Sequence, residues 1–120
     1  MGDRAVFVCH FKGLYSPGVY IHGGGHEALS YLRKAVRRMR KNDADSSAAR
    51  LCGVLHEMIK GNQYLALVPP PVPNRRGKID WKEYSPGDAG VVLIDVTTGY
   101  VECVAGYLEG RSVRPLKLLD

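Results

Sequence analysis

Residues 4–11, RAVFVCHF, are apolar at almost every position and rich in β-branched and aromatic side chains, the composition of a strand. Gly13 and the Pro17-Gly18 pair mark a turn, and residues 19–22 (VYIH) form a second strand, expected to run antiparallel to the first. From residue 26 the period changes. Ala28, Leu29, Leu32, Ala35, Val36 and Met39 recur at intervals of three and four, which predicts a helix over 26–41. Arg33, Lys34, Arg37, Arg38, Arg40 and Lys41 fall on its opposite face. Residues 42–46 carry stop and cap chemistry, with Asp45 or Ser46 as the N-cap of a second helix. Its buried stripe is Ala48, Leu51, Cys52, Leu55, Met58 and Ile59, and Gly61-Asn62 closes it in a left-handed cap.

A third strand over 64–68 is stopped by Pro69, Pro70 and Pro71. Residues 69–89 then form a long proline-rich, basic loop, of a length more often functional or mobile than merely connecting. Residues 90–96 and 100–107 read as a hairpin across Thr97-Thr98-Gly99. The tail, 109–120, is basic and then apolar, and is expected to dock on the body or on a partner. The order ββααβ–loop–ββ gives an α+β fold in a single domain. An antiparallel or mixed sheet of about five strands carries a two-helix hairpin on one face.

The first and fourth strands are apolar on both sides: Ala5, Phe7, Cys9 and Phe11 alternate with Val6 and Val8, and Val92, Ile94 and Val96 with Val91 and Leu93. Two helices cover one face only. A second copy of the chain is the simplest cover for the other, so a homodimer or higher oligomer is expected. The tetrapeptide YSPG occurs at 15–18 and at 84–87, each time before a strand. Both copies suit a type II turn in which the glycine supplies a positive φ.

Composition narrows the partners. The chain has 17 Lys and Arg against 12 Asp and Glu, a formal +5, which favours nucleic acid, a nucleotide or an acidic protein surface. Cys9, Cys52 and Cys103 are far apart among apolar residues, so free thiols in a reducing cytoplasm are expected rather than disulfides or zinc. No signal peptide or membrane span is read from the chain, and a cytoplasmic location is expected.

Candidate chemistry sits at three places. HGGGH, residues 22–26, links a strand to a helix: Gly23, Gly24 and Gly25 would let backbone amides approach an anion, and His22 and His26 would donate to it. The alternative is a tight corner with incidental histidines. The basic face of the first helix would suit a phosphate backbone, or is simply solvated. NRRGKIDWKEY, residues 74–84, brings Arg75 and Arg76 together with Trp81 and Tyr84, guanidinium groups for phosphates and aromatics for stacking. There Trp81 alternatively packs back on the fold. Arg50, on the outer face of the second helix, is a further candidate ligand. No P-loop, GxGxxG or hydrolase motif is present, and His10, His56 and Asp88 are too scattered to complete a metal set. Neither a cofactor nor a metal is expected.

SPGVYIHGGG (16–25), AARLCGVLHEMIKGN (48–62) and SPGDAGVVLIDVTTGYVECVAGYL (85–108) together resemble a group of small phage and prophage proteins. These share Ser-Pro-x-x-Tyr-x-His before a glycine turn, then Ala-Ala-Arg, Gly-Asn and Pro-Gly-Asp-x-Gly in that order. The resemblance implies a viral protein made inside a bacterium, where such proteins often counter host defence, some by sequestering nucleotide signals between identical subunits. The leading expectation is therefore a sponge for an anionic nucleotide. His22 to His26 would hold the phosphate, and Arg75, Arg76 and Trp81 would close over it. The rivals are an inhibitor docking its basic helix on a defence protein or nucleic acid, and a phosphodiesterase using His22 or His26.

Overall fold

The computed structural model describes residues 3–59, 64–111 and 113–120. Strand β1 (Ala5–Phe11) lies at the centre of the sheet, where its continuous apolar run is buried on both sides. A two-residue strand β2 (Leu14–Tyr15) folds back on its end, and β3 (Gly18–Ile21) pairs with it antiparallel, Val6 opposite Tyr20. On its other side β1 runs parallel to β5 (Gly90–Asp95), which turns antiparallel into β6 (Val101–Val104). Strand β4 (Leu65–Val68) pairs with β3, so the open, mixed sheet reads β4-β3-β1-β5-β6. The parallel β1–β5 pair follows from the crossover that carries the chain through both helices before it returns.

The helix α1 (Ala28–Ala35) is flanked by short 3₁₀ turns at Gly25–Glu27 and Val36–Arg38. It ends earlier than its apolar period predicts, because Met39 turns extended and becomes fully buried. Two contacts hold that bend. Leu119 N–H donates to the Met39 carbonyl, and the Ser47 hydroxyl bonds both backbone groups of Arg40. Helix α2 (Ala44–Met58) begins at Asp43, whose carboxylate accepts from Ser46 N–H at 3.0 Å. That moves the N-cap two residues before the earlier expected Asp45 and adds Ala44, Ser47 and Val54 to the buried face. The expected Gly61-Asn62 cap lies outside the described residues.

The helical side of the sheet buries Ala5, Phe7, Cys9, Val92 and Ile94 under Leu32, Ala35, Leu51 and Leu55, with Val113, Leu116 and Leu118 of the tail packed against them. On the other side Val6, Val8, Val91 and Leu93 form a second cluster, for which a partner copy is the cover expected from the sequence. The cover comes from the chain itself. Trp81 and Tyr84, on the single-turn helix α3 (Trp81–Tyr84), lie over those valines together with Tyr15, Tyr20, Val68 and Val104. Trp81 meets Tyr15 and Tyr84 edge-on, at 5.8 and 6.0 Å between ring centroids. The 69–89 segment is thus the sheet's second layer, capped by the Asp80 carboxylate on Glu83 N–H, and it removes the physical reason for expecting subunits to pair on that face.

The two YSPG copies meet in this layer. Gly87 has the expected positive φ, 86°, but Gly18 does not. Gly18 is required for closeness instead: a Cβ there would sit 2.5 Å from the Tyr84 hydroxyl and 2.6 Å from a Val68 methyl.

Candidate functional site

The glycine corner is built where β3 ends beside the start of β1. Gly24 takes a left-handed conformation, φ 75°, and Gly25 is buried where a Cβ would lie 2.7 Å from the Asp3 carbonyl. Three successive amides, those of residues 25–27, are already engaged. Gly25 N–H donates to the Asp3 carbonyl, His26 N–H to the Asp3 carboxylate and Glu27 N–H to the Gly24 carbonyl, at 2.8, 2.9 and 2.9 Å. The corner therefore holds an anion, and the anion is Asp3.

Around that carboxylate the side chains interlock. His26 Nδ1 approaches Asp3 Oδ2 at 2.8 Å, and the Tyr107 hydroxyl donates to Oδ1 at 2.6 Å. Arg4 pairs with Asp88 at 2.9 Å alongside. Partial burial pushes the Asp3 carboxyl up, but the hydrogen bonds from Tyr107 and His26 outweigh it and hold the group below its ordinary range. The bond to Asp3 raises His26, while burial and the same carboxylate push Tyr107 up to about 12. His22 is turned elsewhere: its Nδ1 lies 2.7 Å from the Tyr20 hydroxyl.

The remaining candidates stand apart. Arg75 and Arg76 are exposed on a turn organised by Asn74, whose side chain accepts from Arg76 and Lys78 amides, near Gly13 and Tyr15. That is the other end of β1, whose seven residues separate the two ends by roughly 20 Å. Trp81 and Tyr84 serve the second layer, and the Tyr84 hydroxyl donates to the Pro69 carbonyl at 2.7 Å. Arg50 lies in the helical layer and donates to the Arg38 carbonyl at 3.1 Å. Within one chain, His22, Gly23, Gly24, Gly25 and His26 are thus not joined by Arg50, Arg75, Arg76, Trp81 or Tyr84.

What the fold does bring together is positive charge. Arg33, Lys34, Arg37 and Arg38 are exposed along α1 and the turn after it, and Arg40 and Lys41 are exposed beyond the bend at Met39. The tail then docks alongside: Leu116 N–H donates to the Gly99 carbonyl, and Leu119 exchanges backbone bonds with Met39 and Lys41. Val113, Leu116 and Leu118 pack inward, which leaves Arg114 and Lys117 outward beside Arg33. A groove of about 470 Å³ runs between α1 and the tail, lined by Arg33, Arg114, Lys117, Val113, Pro115 and Leu116. Among the described residues, the ion pair on this face is Arg38 with Glu57, at 3.7 Å and well exposed, a contact worth little in water. The sequence reading missed Arg114 and Lys117. Their signal was the alternation of basic and apolar residues in RPLKLLD, which shows a face only once the tail has a surface to lie on.

Nucleophilic chemistry finds little support in the thiols: burial pushes Cys9 up to about 12 and raises Cys52 and Cys103, so all three are held neutral. Among the described residues no three His, Cys, Asp or Glu side chains gather as a metal site, and no helix is long and apolar enough to cross a membrane. No protein-family model matches the chain, and neither a curated protein nor a solved structure matches it.

Proposed function

We propose that the protein is a non-catalytic binding protein that grips a nucleic-acid phosphate backbone with the basic face of α1 and the docked tail. One observation carries the reading. Cations from chain segments some 80 residues apart, Arg33 on one side and Arg114 and Lys117 on the other, converge on one exposed surface. Little on that surface reads bases, so binding is sequence-independent and steeply salt-dependent. Fluorescence anisotropy with labelled duplex and single-stranded oligonucleotides tests this. Affinity should fall linearly on a log–log plot against salt and collapse in the double variant Arg33→Glu, Arg37→Glu. Unchanged binding by that variant, or equal binding to polyglutamate, sinks it.

A second reading keeps the nucleotide sponge and moves its site. The groove between α1 and the tail is of a size that holds a small ligand and presents three cations, whereas Asp3 engages the Gly25 and His26 amides of the glycine corner. Calorimetry with cyclic and ADP-ribose-type nucleotides separates it from the first: saturable, salt-tolerant binding lost in Arg114→Ala would favour the groove. On the resemblance to phage proteins, either activity would act in the cytoplasm of an infected bacterium, against host defence. The subunit-interface pocket and the histidine phosphodiesterase gain no support from the geometry, since His26 is committed to Asp3 and Glu27.

A further inference from the structure

The sheet has two edges, β4 and β6. The β6 edge carries exposed Glu102, and just beyond it the Glu109 carboxylate accepts from Ala105 N–H. The β4 edge carries no such guard. Residues 61–74, GNQYLALVPPPVPN, hold no charged side chain, and Tyr64, Leu67 and Val72 are exposed at 60%, 62% and 79%. A neutral, apolar, unguarded edge strand is a template for pairing with another strand.

The ladder with β3 fixes which backbone groups look outward. His22 N–H donates to the Tyr64 carbonyl at 2.9 Å, so that pair is hydrogen-bonded. By alternation Tyr20–Ala66 and Gly18–Val68 are bonded as well. Leu65 and Leu67 fall between, so their N–H and C=O groups point away from β3. Among the described residues no strand pairs with that side.

We propose that β4 pairs antiparallel with β4 of a second copy of this chain, across a two-fold axis at Ala66. In this register the outward groups of Leu65 in one copy face those of Leu67 in the other, and every outward N–H finds a carbonyl. Ala66, the smallest side chain in the strand, then occupies the non-bonded position at the axis, where opposed Cα atoms come within about 4.5 Å. Pro69 lacks an N–H and terminates the pairing. Charge favours a second copy here: two chains of +5 repel over most of their surface and approach most easily at a stretch without charge. This dimer uses neither the basic face nor the sealed side of the sheet, and it stands independently of the nucleic-acid reading.

Sedimentation of the full chain across the micromolar range, with amide hydrogen exchange, tests the proposal. The chain should be a dimer, with Leu65 and Leu67 amides protected. Leu67→Pro removes an outward N–H that β3 does not use, so it should give a monomer with unchanged far-UV circular dichroism. Should that variant fold poorly, Leu67→Lys changes only an exposed side chain and should also give a monomer. A wild-type chain that sediments as a monomer throughout overturns the proposal and leaves the edge to a foreign extended peptide. A folded variant that remains dimeric overturns it equally.

Discussion

Asp3 Oδ2 accepts both the backbone N–H and the ring Nδ1 of His26, at 2.9 and 2.8 Å, and so fills the glycine corner with a carboxylate from the chain's own N-terminal segment. A glycine run ahead of a helix is open to an anion because its amides lack partners. Here the partner comes from 23 residues away in sequence.

The pair should titrate as a unit. His26 is raised above the ordinary imidazole value of 6.5, so its contribution is complete below that value and lost as pH rises through the raised one. Asp3 is lowered from 3.8, so its contribution is present above that value and lost as pH falls through the lowered one. The contact is therefore firmest between these limits, in mildly acidic solution. NMR titration of the His26 ring should show Asp3→Asn returning it towards its ordinary value. A titration curve unmoved by that substitution would show the pair to be absent in solution.

Removing Trp81 should uncover the sheet's second face. Trp81→Ala strips a half-buried indole from Val6, Val8, Val91 and Leu93 and should cost about 2–4 kcal/mol, read from urea denaturation. The variant should also bind a hydrophobic dye in its native baseline, because those valines have no other cover of that size. A loss within experimental error of zero would mean that the 69–89 segment does not seal the sheet.

Gly18 and Tyr84 make a coupled pair. Gly18→Ala should destabilise by about 1–3 kcal/mol, since the new Cβ collides with the Tyr84 hydroxyl and with Val68 and Val6 methyls. Tyr84→Phe alone should cost about 1 kcal/mol for the bond to Pro69. In the double variant the penalty of the alanine should shrink without vanishing, because the valine contacts remain. Strict additivity in thermal denaturation would argue against the close approach.

The docked tail should count in the salt dependence of nucleic-acid binding. If Arg114 and Lys117 face the same backbone as Arg33, replacing both with alanine should lower the slope of log affinity against log salt by about 2, as should Arg33→Ala with Arg37→Ala. Alanine at Arg75 and Arg76, at the far end of β1, should leave it unchanged. A slope lowered as much by the Arg75 and Arg76 alanines as by either of the other pairs would show the charge to act diffusely, with no defined face.

Local pattern alone specified five of the six strands, the two longer helices and the hairpin, because alternation and the helical period are properties of neighbouring residues; the two-residue β2 and the single-turn α3 are too short to carry either period. It also specified that the central strands are apolar on both sides. Tertiary structure decided what covers them: Trp81 reads equally as a stacking platform or as a lid until Val6 and Val8 lie beneath it. The same holds at the corner, where HGGGH advertises open amides and only the return of Asp3 shows those of Gly25 and His26 taken, and at Met39, where a backbone bond from Leu119 of the tail holds the bend that ends the helical period. Each of these outcomes depends on partners remote in the chain, and sequence spacing carries no information about which of two remote segments arrives first at an unsatisfied surface.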